Sequence, residues 1–230
     1  MKNWLLLFPL LLTLAGVSAQ DAPSEPREIC YFFLMDISKS AAYTVPKVDT
    51  PELRKILHHH ATQRSIRFGG LYIGSESGKQ EILVGAPHRL RLAPETGNDW
   101  VEIRQAQKAN RQAKAEFRRG VAAEMSGCYR FFNHAHDEPF TDISDALEFF
   151  ARFANQASNA TVDFRLVILS DMEQDRPDKR SLRPFVLPPN VSVWIIGAPV
   201  GKHYDGLFPA TSTVEELVDF KAEYFFTDKR

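Results

Sequence analysis

Cysteine is scarce in this chain. Two residues, Cys30 and Cys128, are too few for the multi-bridge framework of a disulfide scaffold. They leave open one bridge or two buried free thiols. An excess of either charge is also missing: 28 Lys and Arg stand against 29 Asp and Glu, a formal net charge of -1. No broad basic field is available to capture nucleic acid or an anionic membrane, so specificity must come from a local site. There is no internal repeat and no low-complexity segment. Beyond the N-terminus no apolar stretch approaches the ~20 residues needed to span a bilayer. The expected partners therefore exclude nucleic acid and, once the N-terminal apolar segment is cleaved, a membrane span.

What is present is ordinary globular material. The 230 residues are 44% hydrophobic and 25% charged, enough apolar surface for one domain with a sizeable core. Lys2, the apolar run Trp4 to Val17, and the small residues Val17-Ser18-Ala19 have the order of a secretory signal peptide cut after Ala19. This predicts a secreted or periplasmic protein. Residues 1–19 are then the signal peptide, 20–27 a flexible leader holding Pro23 and Pro26, and 28–230 the folded domain. The sequons at Asn159 and Asn190 matter only in a glycosylating host and are treated as chance.

The folded part alternates buried strands with helices. Near-continuous apolar runs at 28–36, 162–170 and 191–197 suit strands covered on both faces. Strands at 66–75 and 80–85 flank a polar turn and predict an antiparallel hairpin. Helices are expected over 52–64, from Asp99 to about Phe132 with a break at Gly120, over 142–155, and over 213–226. The sum is an α/β fold: a mostly parallel central sheet with one antiparallel edge strand and helices on both faces.

One constellation carries chemistry. The first buried strand ends in Asp36-Ile37-Ser38-Lys39-Ser40, at the carboxyl end of the sheet, where open α/β folds bind ligands. Three short oxygen side chains at alternate positions let a loop aim all three inward at a small ion. Thr141 follows in a loop, in the pattern Thr141-x4-Ala146-Leu147, and Asp171 ends the buried run Leu166 to Ser170. This order, Asp-x-Ser-x-Ser, loop Thr, strand-terminal Asp, resembles the metal-ion-dependent adhesion site of von Willebrand factor A (vWA) domains. The resemblance covers about residues 28 to 226 and implies a vWA/Rossmann-like fold. It implies that Ser38, Ser40 and Thr141 touch a metal while Asp36 and Asp171 hold its waters and orient the hydroxyls. All five offer hard oxygens, which favours Mg²⁺ or Mn²⁺ over Zn²⁺ or Cu²⁺. The implied function is non-enzymatic: a protein partner supplies an acidic group to the open metal position. The chain departs from the family at Pro139, where a glycine is common, in the long stretch 99–132, and in having no legible sixth strand before the last helix.

Other signals are weaker. His58-His59-His60 occupy adjacent helix positions that share no face, and are read as a solvated surface. His134, His136 and Asp137 are read as a polar loop beside the site, Lys39 as pointing to solvent, and Asp175 and Asp178 as flanking charges. The segment Gly74 to Lys79 fails as a phosphate loop in spacing and context. Two other functions compete. A Mg²⁺-dependent phosphatase-like hydrolase would want a carboxylate where Ser38 stands. A structural subunit of an envelope or secretion assembly would use the metal as a brace.

Overall fold

The structure, a computed structural model, describes residues 28–75, 77–97, 99–175, 182, 184–199, 204, 207–208 and 214–226. The segments expected to be a signal peptide (1–19) and a leader (20–27), and Asp178, lie outside these. Among the described residues no helix is long and apolar enough to cross a membrane.

Among the described residues six strands form one sheet in the order β3-β2-β1-β4-β5-β6: β1 Glu28–Asp36, β2 Ser65–Ile73, β3 Leu83–Val84, β4 Val162–Leu169, β5 Val191–Ile196 and β6 Val214–Leu217. All neighbours pair in parallel except β2 and β3. The helices are α1 Ala41–Thr44, α2 Thr50–Ala61, α3 Trp100–Phe132 and α4 Ile143–Ala154.

The apolar run of β1 is explained by cover on both sides. Ile29, Tyr31, Phe33 and Met35 face a core shared with α2, α3 and the C-terminal segment. Cys30, Phe32 and Leu34 face a second core shared with α4. Alternate side chains of a strand point to opposite faces, so a strand between two helical layers must be apolar throughout. The cysteines accordingly lie in different cores, Cys30 in the one shared with α4 and Cys128, on α3, in the one shared with α2, and both are free thiols. The sheet stands between them, which rules out the bridge.

Three expectations are corrected. Gly120 does not break α3, which runs unbroken for 33 residues. The glycine is there for room: a Cβ on it would stand 3.1 Å from the His88 ring. The described part of the stretch 213–226, from Val214 on, is not a helix. Val214–Leu217 adds the sixth strand along β5, and a 3-10 turn Ala222–Phe225 follows. Val214, Leu217 and Val218 mimic helical spacing, but Val218 is 81% exposed and the paired edge of β5 decides the conformation. The third strand is also shorter than expected, with a ladder of two residues.

Candidate metal centre

The site grows out of the switch point of the sheet. β2 and β4 lie on either side of β1, so the chain's connections leave in opposite directions and open a crevice at the carboxyl ends of β1 and β4. Asp36 ends β1 and Asp171 follows β4 by two residues. Register explains what surrounds Asp36. Leu34 pairs with Ile168, so the next residues on that face are Asp36 and Ser170. The Ser170 hydroxyl donates to Asp36 Oδ2 at 2.8 Å, and the Ser38 backbone N–H donates to Oδ1 at 2.9 Å. Asp36 is fully buried. Burial pushes its pKa above the ordinary carboxylate range, against the Ser38 and Ser170 hydrogen bonds, and the nearby Asp171 charge adds to the rise.

Above this carboxylate the chain turns into α1. Ser38 Oγ and Ser40 Oγ stand 3.1 Å apart, and the Ala41 N–H donates to Ser38 Oγ at 3.4 Å. Ser38 is buried and Ser40 exposed, so the hydroxyl pair reaches from the protein interior to solvent. Lys39 is exposed, as expected.

Asp171 is held separately. Its Oδ1 accepts the Glu173 N–H at 3.0 Å, and its Oδ2 accepts from Thr44 Oγ1 at 3.4 Å. The turn that allows this passes through Met172, a non-glycine residue at φ 60. That left-handed conformation is uncommon for a methionine and is supported by burial of its side chain and by its N–H donating to Ser170 Oγ at 2.9 Å. Tyr204 lies within electrostatic reach of Asp171 and Glu173. Among the described residues its buried hydroxyl has no hydrogen-bond partner, and burial, then the carboxylates of Glu216, Asp171 and Glu173, raise its pKa.

Thr141 is brought to the same end of the sheet by loop pairing. The strand-like segment around Glu138 pairs with Ser38, through Lys39 N–H to Glu138 O at 3.3 Å and Glu138 N–H to Ile37 O at 3.2 Å. Three residues later, the Thr141 N–H donates to Asp175 O at 3.0 Å. Thr141 is buried and its hydroxyl contacts neither the serine pair nor the aspartates by a hydrogen bond. Asp142 then caps α4 by accepting the Asp145 N–H at 3.0 Å, which buries Ala146 and Leu147 against the sheet.

The structure thus joins Asp36, Ser38 and Ser40 directly, ties Asp171 in through Thr44 and its charge, and sets Thr141 on the adjoining loop. Ser170, Thr44 and Tyr204 were not anticipated. Ser170 had a signal, because it shares strand parity with the apolar residues facing Asp36; Thr44 and Tyr204 had none. Among the described residues no cluster of three or more His, Cys, Asp and Glu side chains is placed to hold a metal. The predicted set is of another kind, with three hydroxyls and two carboxylates. His58 and His59 are exposed as expected, but His60 is buried, with Nε2 3.0 Å from Tyr31 Oη and 2.9 Å from Phe225 O. No protein-family model matches the chain, and no curated protein matches it.

Proposed function

We propose that the chain is an exported vWA-like binding module that holds Mg²⁺ or Mn²⁺ at this crevice and engages an acidic group of a protein partner through the cation. The observation that carries the reading is the hydroxyl pair, Ser38 Oγ and Ser40 Oγ, 3.1 Å apart over a buried carboxylate. Neighbouring ligands of an octahedral Mg²⁺, each at ~2.1 Å, stand ~3.0 Å apart. The pair is therefore spaced as two adjacent ligands while also close enough to hydrogen-bond. Both Asp36 oxygens are occupied by Ser38 and Ser170, which suits a supporting carboxylate rather than a ligand. Ser38, Ser40 and Thr141 would hold the ion; Asp36 and Asp171 would set its waters and the loop. With neutral ligands the bound cation would supply a Lewis-acidic position that a partner's carboxylate can fill. The exposed side of Ser40 is the side from which a partner would approach.

The test is calorimetric titration of Mg²⁺ and Mn²⁺ into the wild type and Asp36→Ala, with circular dichroism as the folding control. Loss of such a supporting group is expected to weaken metal binding ~10–100-fold. Equal affinity in two folded proteins would remove the site assignment. Recovery of a partner from the native envelope should fall with EDTA and with Asp36→Ala alike. Partner recovery unchanged in a variant that has lost the metal would make the ion a brace for the loops.

A further inference from the structure

The opposite end of the sheet carries a second feature. At the amino ends of β1, β2 and β4 lies a pocket of about 670 Å³, and four arginines line it: Arg64, Arg67, Arg89 and Arg91. In a chain of net charge -1 this is a local concentration of positive charge. It has a structural origin. Ile66 bridges His88 and the Leu90 N–H donates to Ala61 O at 2.8 Å, so the segment after β3 crosses the start of β2 and lays Arg89 and Arg91 beside Arg64 and Arg67.

Three of the guanidiniums are anchored to the frame. Arg67 Nε lies 2.7 Å from Glu28 Oε1, and its NH2 group donates to Asn159 Oδ1 at 3.1 Å. Arg64 NH1 lies 3.8 Å from Asp163 Oδ2. Arg89 NH2 donates to Gln63 O at 3.3 Å. Arg91 makes no hydrogen bond or ion pair among the described residues, yet it faces the same space. Four guanidiniums thus converge with two carboxylates, Glu28 and Asp163, among them. The local excess is two positive charges, and each planar fork is suited to paired oxygens. Ser65, Ser158 and Thr161 also line the pocket.

We propose that this pocket binds a phosphate monoester or diester, with the phosphate held by Arg89 and Arg91 against the anchored Arg64 and Arg67. A phosphate monoester carries about 1.5 to 2 negative charges at neutral pH and a diester about one, so the excess of two can neutralise either. The volume exceeds that of a bare phosphate and leaves room for a small polyol or sugar. The same chemistry is offered by a soluble phosphoester and by a phospholipid headgroup.

Glycerol 3-phosphate is titrated calorimetrically into wild type, Arg89→Ala/Arg91→Ala and Arg118→Ala/Arg119→Ala at fixed ionic strength. The first pair lies in the pocket; the second removes the same charge from the exposed face of α3. Binding is expected to fall at least tenfold in the first variant and less than twofold in the second. Both variants change exposed side chains, and circular dichroism checks their folding. Sedimentation with phosphatidylglycerol and phosphatidylcholine vesicles separates the sources. Arginine-dependent capture by the first vesicles identifies a headgroup, and binding of the soluble ester without capture identifies a free phosphoester. Equal affinity in wild type and Arg89→Ala/Arg91→Ala, an equal fall in both variants, or no binding in either arm overturns the proposal.

Discussion

Cys30 and Cys128 are placed by the strand and helix patterns that bury them, and that burial fixes their chemistry. Desolvation pushes both thiols from 9.0 up to about 12. Below pH 9 they are neutral in the folded and unfolded chain alike. From about pH 9 the unfolded chain releases protons that the folded chain retains, so folding stability falls as pH rises toward 12. Urea unfolding followed from pH 8 to 11 should show this loss, and Cys30→Ala/Cys128→Ala should flatten it; parallel slopes in the two proteins would contradict the assignment. Native protein should resist alkylation at pH 8, and two thiols should react once it is unfolded. Asp36, Ser38 and Ser40 were legible because they continue a strong apolar run to its end. Ser170 was recoverable only by assuming the register of β1 against β4. His60 was not, because its partners, Tyr31 and the Phe225 carbonyl, are 29 and 165 residues away in the sequence.

Helix α3 shows why glycine alone is a poor guide to an element's end. Gly120 gives His88 its place, and Gly127 has no heavy atom within 4 Å of where a Cβ would stand. Gly127→Ala should therefore stabilise the protein by about 0.5–1 kcal/mol, since it restores helix propensity without a clash. Thermal denaturation will show it, and a lowered melting temperature would mean that the helix is not continuous there. The contrary case is Gly70 in β2, where a Cβ would lie 2.6 Å from Phe131 Cζ in the core. Gly70→Ala should cost about 1–3 kcal/mol through overpacking. The buried strands and α4 were legible to within a residue or two, because each has one unambiguous apolar period. β6 was not: four residues, three half-buried and one exposed, are too few to separate period 2 from period 3.6, and the free edge of β5 settles the matter.

The whole molecule has two chemically different ends joined by one strand. Hydroxyls and carboxylates gather at the carboxyl end of β1, arginines at its amino end, and the core between is closed on one side by the C-terminal segment. The closure is specific. The Phe225 carbonyl accepts from Tyr31 Oη at 3.0 Å and from Arg165 NH1 at 2.7 Å, and its ring packs on Tyr31, Trp194 and Phe220 at 5.1 to 5.7 Å between centroids. Phe225 is fully buried. Phe225→Ala removes that ring contact and leaves a cavity over Tyr31, so it should cost about 3–5 kcal/mol. Urea denaturation measures this, and a loss below about 1 kcal/mol would mean that the tail does not seal the core. Tyr31 and Asp36 point to opposite faces of β1 and stand about 16 Å apart along it. Sites separated in this way, with no shared partner, act additively. Under conditions where the variant remains folded, its Mg²⁺ titration should therefore match the wild type. A weakened titration in that folded variant would show instead that the C-terminal clasp helps set the loop at Ser38.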